Sequence, residues 1–451
     1  MDLFRDYNKF VKEVKNAISC CDREQHDVCE KFGRFIDNYS IEHNHIQDKL
    51  ISKPVVEVIL QFMDKIHGIY SIRDLSIHFA DYDLYSLWKI IYIKFFNPVI
   101  VIGAGISGLT IAEGLSNFMV LEARDRIGGR VYTNEKNLDD GAAWIHGVCD
   151  NPLMNLVMND DLIPIAQNNP WMHSENADIK YLNADRDFTE EFRQELAQKW
   201  SDVVEQIINS VADPDHITID EAFADCKDND CVKSFLYMIE VWCGGSIKNL
   251  PVSFLGHGHQ YDDSGHQESK TALYGDYAGS HCIFKKGAKT ILKSFTSNNK
   301  IKLNTIVTEV KYNDCFVEVH TRDGRIYVCE KLCITIPPGP LKDIYFDPPL
   351  EKTRLDSLSR VKMGSYKKIQ IEFDEVFWNN SAMILTRDCE NTDFPYILWN
   401  NYSLSKGLPI LEAICPANHG WSLAGKSDED IVDSVMKHLN LYYKNVPFPK
   451  S

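Results

Sequence analysis

Four consecutive apolar residues, Val99-Ile100-Val101-Ile102, run directly into Gly103-Ala104-Gly105-Ile106-Ser107-Gly108. An unbroken apolar run of this length marks a strand buried on both faces, the habit of parallel sheets covered by helices. The three glycines have separate reasons to be there. Gly103 permits a tight turn, Gly105 lets the backbone approach a pyrophosphate, and Gly108 allows helix and strand to pack closely. A helix opening at Ile106 and Ser107 aims unpaired N–H groups and a positive dipole end at such phosphates. The spacing therefore predicts a dinucleotide-binding strand–turn–helix, and Glu122, ending a second strand over 119–122, suits a ribose hydroxyl acceptor.

Upstream, residues 1–96 read as all-helical. Val55, Val56, Ile59, Phe62, Met63 and Ile66 recur at helical spacing behind Pro54, and Leu84, Leu87, Trp88, Ile91, Ile93 and Phe95 continue the pattern. Asn97-Pro98 breaks it and marks a domain boundary. Further strands are expected over 301–303, 315–321, 331–336 and 368–373. Residues 151–245 read as acidic and helical, with apolar spacing at Phe188-Phe192-Leu196-Trp200 and Val203-Ile207-Val211.

The 48 Lys+Arg against 65 Asp+Glu leave a formal net charge of -17, which repels nucleic-acid phosphates and attracts cations such as polyamines or basic peptide tails. It serves equally as a solvated, solubilising surface. The 13 cysteines include no pair at zinc spacing, so no metal site is expected. The N-terminus has no signal-peptide core, and the most apolar helical stretch, 84–96, carries Lys89 and Lys94 and is too short to span a bilayer. These features point to a reducing compartment, cytoplasmic or nuclear, with no membrane segment.

The segment after Glu122 is more specific: Leu121-Glu122-Ala123-Arg124-Asp125-Arg126-Ile127-Gly128-Gly129-Arg130-Val131, followed by Gly141-Ala142-Ala143-Trp144-Ile145-His146-Gly147. This pattern resembles the flavin-containing amine oxidases, the superfamily of monoamine oxidases, polyamine oxidases and lysine-specific histone demethylases. The resemblance implies FAD as cofactor. Glu122, Ala123, Arg124, Gly129 and Arg130 would lie along its ribose and phosphates, a role that suits two arginines and a Gly-Gly turn. Read without the resemblance, the arginines could simply pair with surface acids. Gly141, Ala142, Ala143 and Trp144 would run beside the isoalloxazine, where only a thin backbone fits. The Trp144-Ile145-His146-Gly147 run looks most like the polyamine and spermine oxidase branch, in which a histidine at His146 contacts the amine. On residue type alone, His146 is a packing residue.

Later segments are similar to the family too. Val307, in Ile301-Lys302-Leu303-Asn304-Thr305-Ile306-Val307, would touch the adenine through its backbone. Pro337, in Ile334-Thr335-Ile336-Pro337-Pro338-Gly339-Pro340-Leu341-Lys342, belongs to a strand-to-loop run near the cofactor. Lys368 falls on the family lysine that holds a water near flavin N5; Lys367 takes that place if the register slips by one. A lysine between Tyr366 and Ile369 could equally face solvent.

The resemblance thus implies an α/β fold, an FAD-binding Rossmann-like domain with a mixed α+β substrate domain behind an all-helical N-terminal domain. Its expected parts are 1–96 helical, 97–150 FAD-binding, 151–245 the helical part of the substrate domain, 246–345 the return through the FAD domain, and 346–451 the substrate-domain sheet with a terminal helix over 428–443. The implied activity is oxidation of a secondary amine of a polyamine: hydride transfer to N5, hydrolysis of the imine, and reoxidation by O2 to give H2O2. A methyl-lysine peptide is the alternative substrate, and a catalytically inactive binding module the alternative from another class. A protein partner could dock on the N-terminal domain. Two departures stand out. The span from Gly103 to Glu122 is about one helical turn shorter than the family's, leaving 116–118 as nearly the whole return loop. The chain also stops at Ser451, where the family continues with a segment that closes the flavin site, so weak FAD retention is an expectation.

Overall fold

The computed structural model describes residues 99–157, 161–167, 179–183, 206, 210–226, 230–255, 260–261, 267–268, 280–295, 300–314, 316–387 and 398–450. The expected N-terminal helical domain (1–96) and the helical stretch 188–200 lie outside them, as does most of 203–211. Two compact units make up the chain, Met1–Arg130 with Phe295–Lys362 and Val131–Ser294 with Met363–Ser451.

In the first unit, Val99–Ile102 is an inner strand of a four-stranded parallel sheet. Lys331–Ile334 lies on one side of it, and Phe118–Leu121 then Ile301–Lys302 on the other. Val101 and Val120 are wholly buried, as a strand covered on both faces requires. The crossover helix, Ile106–Glu113, has eight residues, and its backbone ends in the Gly114 cap. Phe118 is not part of the return loop as expected. It is 7% exposed and pairs with Val99 as the first residue of its strand, so the second strand begins one residue early. The other strands also depart slightly from expectation. Lys331–Ile334 stops two residues short because its partner ends at Ile102, after which the Thr335 hydroxyl donates to the Ile102 carbonyl (2.9 Å). Ile301–Lys302 stops with Leu121, and the strand expected over 315–321 spans Val317–Thr321. A second sheet in the order Ile326–Cys329, Val317–Thr321, Val307–Tyr312 and Tyr345–Asp347 shares a core with the first through Ile100, Ile102, Leu121, Val310, Val319 and Tyr327.

The second unit is built on a five-stranded sheet ordered Tyr366–Glu372, Ile410–Pro416, Leu398–Asn401, Met383–Arg387 and Ile179–Asn183. Side chains alternate across it. Trp399, Ala413, Ile384 and Leu411 pack with Val435 and Leu439 of the helix Asp428–Tyr442. Leu385, Leu398 and Ile414 meet Tyr237, Met238 and Val241 of the helix Asp230–Cys243 on the opposite face. Covering both faces explains why Trp399 is 1% exposed; burial of such an aromatic contributes about 2–3 kcal/mol. The terminal helix starts as its sequence suggests, with Ser427 accepting from the Asp430 N–H and three acids in the first turn. The stretch 151–245 is not helical throughout. Its segment Leu162–Gln167 forms a three-stranded sheet with Ser280–Phe284 and Trp144–Ile145, and Ile179–Asn183 closes the large sheet.

Candidate active site

In the first unit the glycine turn is shaped by its neighbours. Gly103 sits at φ +103°, and a Cβ there would lie 2.9 Å from Ile336 Cγ2. A Cβ on Gly108 would fall 1.9 Å from the Gly103 carbonyl oxygen, so only glycine lets the helix approach the turn. Gly105 is different. A Cβ there would meet nothing within 4 Å, and its φ of -75° suits any residue. Its lack of a side chain therefore serves the space in front of it. Gly105 also caps the helix N-terminus without a side-chain hydrogen bond, which leaves the first-turn N–H groups of Ile106, Ser107 and Gly108 to an external acceptor.

The second glycine loop lies against the first, with the Gly128 N–H donating to the Ala104 carbonyl (2.8 Å). Glu122 is 8% exposed, and its two carboxylate oxygens accept from the N–H groups of Ala104 (2.7 Å) and Arg124 (2.9 Å). It ties the turn to the next loop, and each oxygen retains a lone pair for a hydroxyl donor. Ala123, Arg124 and Arg130 are exposed, Gly129 half-buried, and among the described residues neither arginine has an ion-pair partner. Val307 is buried at the head of its strand, and Pro337 caps the short turn Pro338–Leu341.

The second unit gathers the remaining sites. Asn134 opens a tight turn: its side-chain oxygen accepts from the Lys136 and Leu138 N–H groups, and its own N–H donates to the Leu138 carbonyl. Asp139 follows, 2% exposed, with one carboxylate oxygen accepting from the Thr133 hydroxyl (2.5 Å) and the Ala288 N–H (2.8 Å). Burial pushes the Asp139 carboxyl up, opposed by those two bonds and by Lys406 and Lys368. The turn presents two backbone carbonyls, and Lys368 takes both: its ammonium donates to Asp139 O (2.7 Å) and Gly141 O (2.8 Å). The Lys368 side chain is 8% exposed, whereas Lys367, on the opposite face of the strand, points into solvent. That strand spans Tyr366–Glu372, starting two residues earlier than expected because it pairs with Ile410–Pro416 along its whole length. An ammonium has three donors, so one N–H of Lys368 remains for a water.

Beyond Gly141 the chain runs through exposed Ala142 and buried Ala143 into the strand Trp144–Ile145, which pairs with Ile283 and Cys282. Carried one step on, that register sets His146 opposite His281, and the two Nδ1 atoms are 3.2 Å apart. One of them donates to the other. His146 is exposed and stacks on Trp144, while His281 is 1% exposed and pushed down to about 4 by burial and by His146. His281 and Asp139 were missed in the sequence, because each joins the site through contacts more than a hundred residues distant, with no local motif. Among the described residues no cluster of His, Cys, Asp and Glu could hold a metal, and no helix is long and apolar enough to cross a membrane.

Residues 106–451 match the family model described as flavin containing amine oxidoreductase. Polyamine oxidase 5 of Oryza sativa subsp. japonica is 27% identical over 372 residues, spanning 76% of this chain and 71% of that protein. Lysine-specific histone demethylase 2 of Homo sapiens is 26% identical over 352 residues, spanning 72% and 40%. The structure of cyclohexylamine oxidase from Brevibacterium oxydans IH-35A superposes with a TM-score of 0.61 at 19% identity, covering 78% of this chain and 83% of that one, which shows a common fold. With three quarters of its length matched by the family model, the chain belongs to the flavin-containing amine oxidoreductases, a family that binds FAD.

Proposed function

We propose that this chain is an FAD-dependent oxidase acting on a secondary amine of a polyamine. The observation that carries the reading is the seat of Lys368, buried, fixed by two carbonyls, and left with one N–H for a water. Several relatives carry the name polyamine oxidase, and the net charge of -17 favours a polycation over a nucleic acid. The first-unit residues fit the cofactor's pyrophosphate and ribose: open space before Gly105, an uncapped helix N-terminus, the two arginines without partners among the described residues, and Glu122. We assign the glycine fingerprint to the phosphates on that basis, Val307 and Pro337 to the adenosine side, and the 141–144 segment to the flavin ring.

Bound FAD supplies the acceptor for the hydride that leaves the amine carbon. Lys368 holds a water where the oxidised amine is hydrolysed, and His146, oriented by His281, contacts the amine. The net reaction turns amine, O2 and water into an aldehyde, a shorter amine and H2O2. The free cysteines, with Cys282, Cys329 and Cys415 buried, suit a reducing compartment, cytoplasm or nucleus. The helical spacing of residues 1–96, read from the sequence, makes that stretch the part we propose for contact with a protein partner.

A methyl-lysine substrate is the second reading, favoured by the demethylase relatives. Purified protein should be yellow with one FAD per chain and release peroxide with spermine or spermidine. Formaldehyde from a methyl-lysine peptide, with no turnover of polyamines, selects the second reading. Colourless protein that cannot be reconstituted with FAD overturns both. In a working oxidase, Lys368→Met slows formation of the aldehyde product by about a hundredfold.

A further inference from the structure

Glu412 belongs to no motif and has no part in the site as described so far, yet its side chain is 0% exposed. It stands mid-strand in Ile410–Pro416, with Gln370 opposite on one neighbour and Asn400 opposite on the other. Gln370 Nε2 donates to Oε2 (2.8 Å) and Asn400 Nδ2 to Oε1 (2.9 Å). The third approach is Lys368, whose Nζ is 3.9 Å from Oε2. Strand alternation puts Lys368, Gln370 and Glu412 on one face of the sheet, the face turned to the 134–141 turn.

A carboxylate removed from water costs several kcal/mol unless cations and donors surround it. The groups around it nearly cancel. Asp139 and Glu412 are the acids. Lys368 and Lys406 are the bases, Lys406 donating to the Asn137 carbonyl (2.6 Å) on the same turn. Lys289 lies farther out, near Lys406. Tyr366 and Tyr402 complete the ring, and the Tyr402 phenol is pushed well above its usual range by burial and by the Glu412 and Asp139 carboxylates, so it remains a neutral donor. The two carbonyls give the Lys368 ammonium a direction, but carbonyl dipoles alone do not balance a buried charge. Glu412 is the nearest full negative charge to it, held rigidly by two amides.

We propose that Glu412 is a positioning residue: its buried carboxylate, clamped by Gln370 and Asn400, keeps the Lys368 ammonium seated on the Asp139 and Gly141 carbonyls with one N–H directed to a water. This rests on the assignment of Lys368 as the water-holding lysine. Glu412 itself touches neither solvent nor substrate.

The test is Glu412→Gln in the full chain, near-isosteric and uncharged, with Lys368 followed by mass spectrometry after brief acylation by a lysine-reactive ester in the absence of amine. Wild-type Lys368 is protected. In the variant its labelling rises at least about tenfold, and formation of the aldehyde product slows by a similar factor while KM for the amine holds. Glu412→Asp, which keeps the charge, recovers part of the protection. A folded Glu412→Gln protein with wild-type labelling at Lys368 overturns the proposal. If that variant does not fold, Gln370→Met removes one clamp without altering charge. A several-fold rise in labelling supports the proposal, and wild-type labelling overturns it. Because labelling needs no turnover, it responds even if the chain proves not to be an oxidase, which separates the two failures.

Discussion

At the scale of single residues, the glycine fingerprint separates into one position the protein needs and one that packing leaves open. Gly108 is fixed by the Gly103 carbonyl 1.9 Å from where a Cβ would sit, so Gly108→Ala should destabilise the cofactor-free protein by about 2–4 kcal/mol. Gly105 has open space before it and ordinary backbone angles. Gly105→Ala should leave cofactor-free stability within about 0.5 kcal/mol of wild type while weakening FAD binding at least about tenfold. Urea titration and flavin fluorescence measure the two quantities, and undiminished FAD affinity in Gly105→Ala would show that no phosphate passes there. The fingerprint was legible in the sequence because its spacing along one strand, turn and helix is local, although Ile336 crowds Gly103 from far along the chain. Lys368 was legible only through the resemblance, since nothing in Tyr366-Lys367-Lys368-Ile369 tells which lysine turns inward. The strand register decides it, and Glu412, its nearest carboxylate, carries no sequence signal at all.

At the scale of elements, strands were foreseen to within two residues wherever an apolar run sat between clear breaks, as in Val99–Ile102 and Phe118–Leu121. Their ends were set by partner strands, which the sequence does not name. The three-stranded sheet of Trp144–Ile145, Ser280–Phe284 and Leu162–Gln167 was not foreseen, because no local pattern names its partners and His281 of the middle strand lies 135 residues from His146. That strand holds His281 neutral and buried, down at about 4. An unfolded histidine takes a proton below about pH 6.5. The folded state therefore resists a proton that the unfolded state accepts, and stability is lost as pH falls from about 6.5 to about 4. Between pH 7.5 and 5 the loss from this residue should be about 2 kcal/mol. His281→Gln should remove that share. Equal losses in wild type and variant, measured by urea unfolding at the two pH values, would contradict the assignment. His438, also pushed down, to about 3 by burial, contributes alike to both proteins and cancels.

At the scale of the whole molecule, the charge of -17 makes a prediction about encounter. Polycations are drawn to such a surface over distances that salt shortens, the Debye length falling from about 30 Å at 0.01 M to about 3 Å at 1 M. KM for spermine should therefore climb with ionic strength more steeply than KM for a monoamine substrate, and parallel curves would mean that the surface charge plays no part in substrate capture. Chain order has its own consequence. Val99 pairs with Phe118 on one side but with Lys331, 232 positions later, on the other. At about 5–20 residues per second of synthesis, the inner strand waits roughly 10–50 s on the ribosome with one apolar edge unpaired. The most foldable-looking motif in the chain thus stays open to wrong pairing during translation, and its yield in a cell should depend on the speed at which the ribosome reaches Ile334.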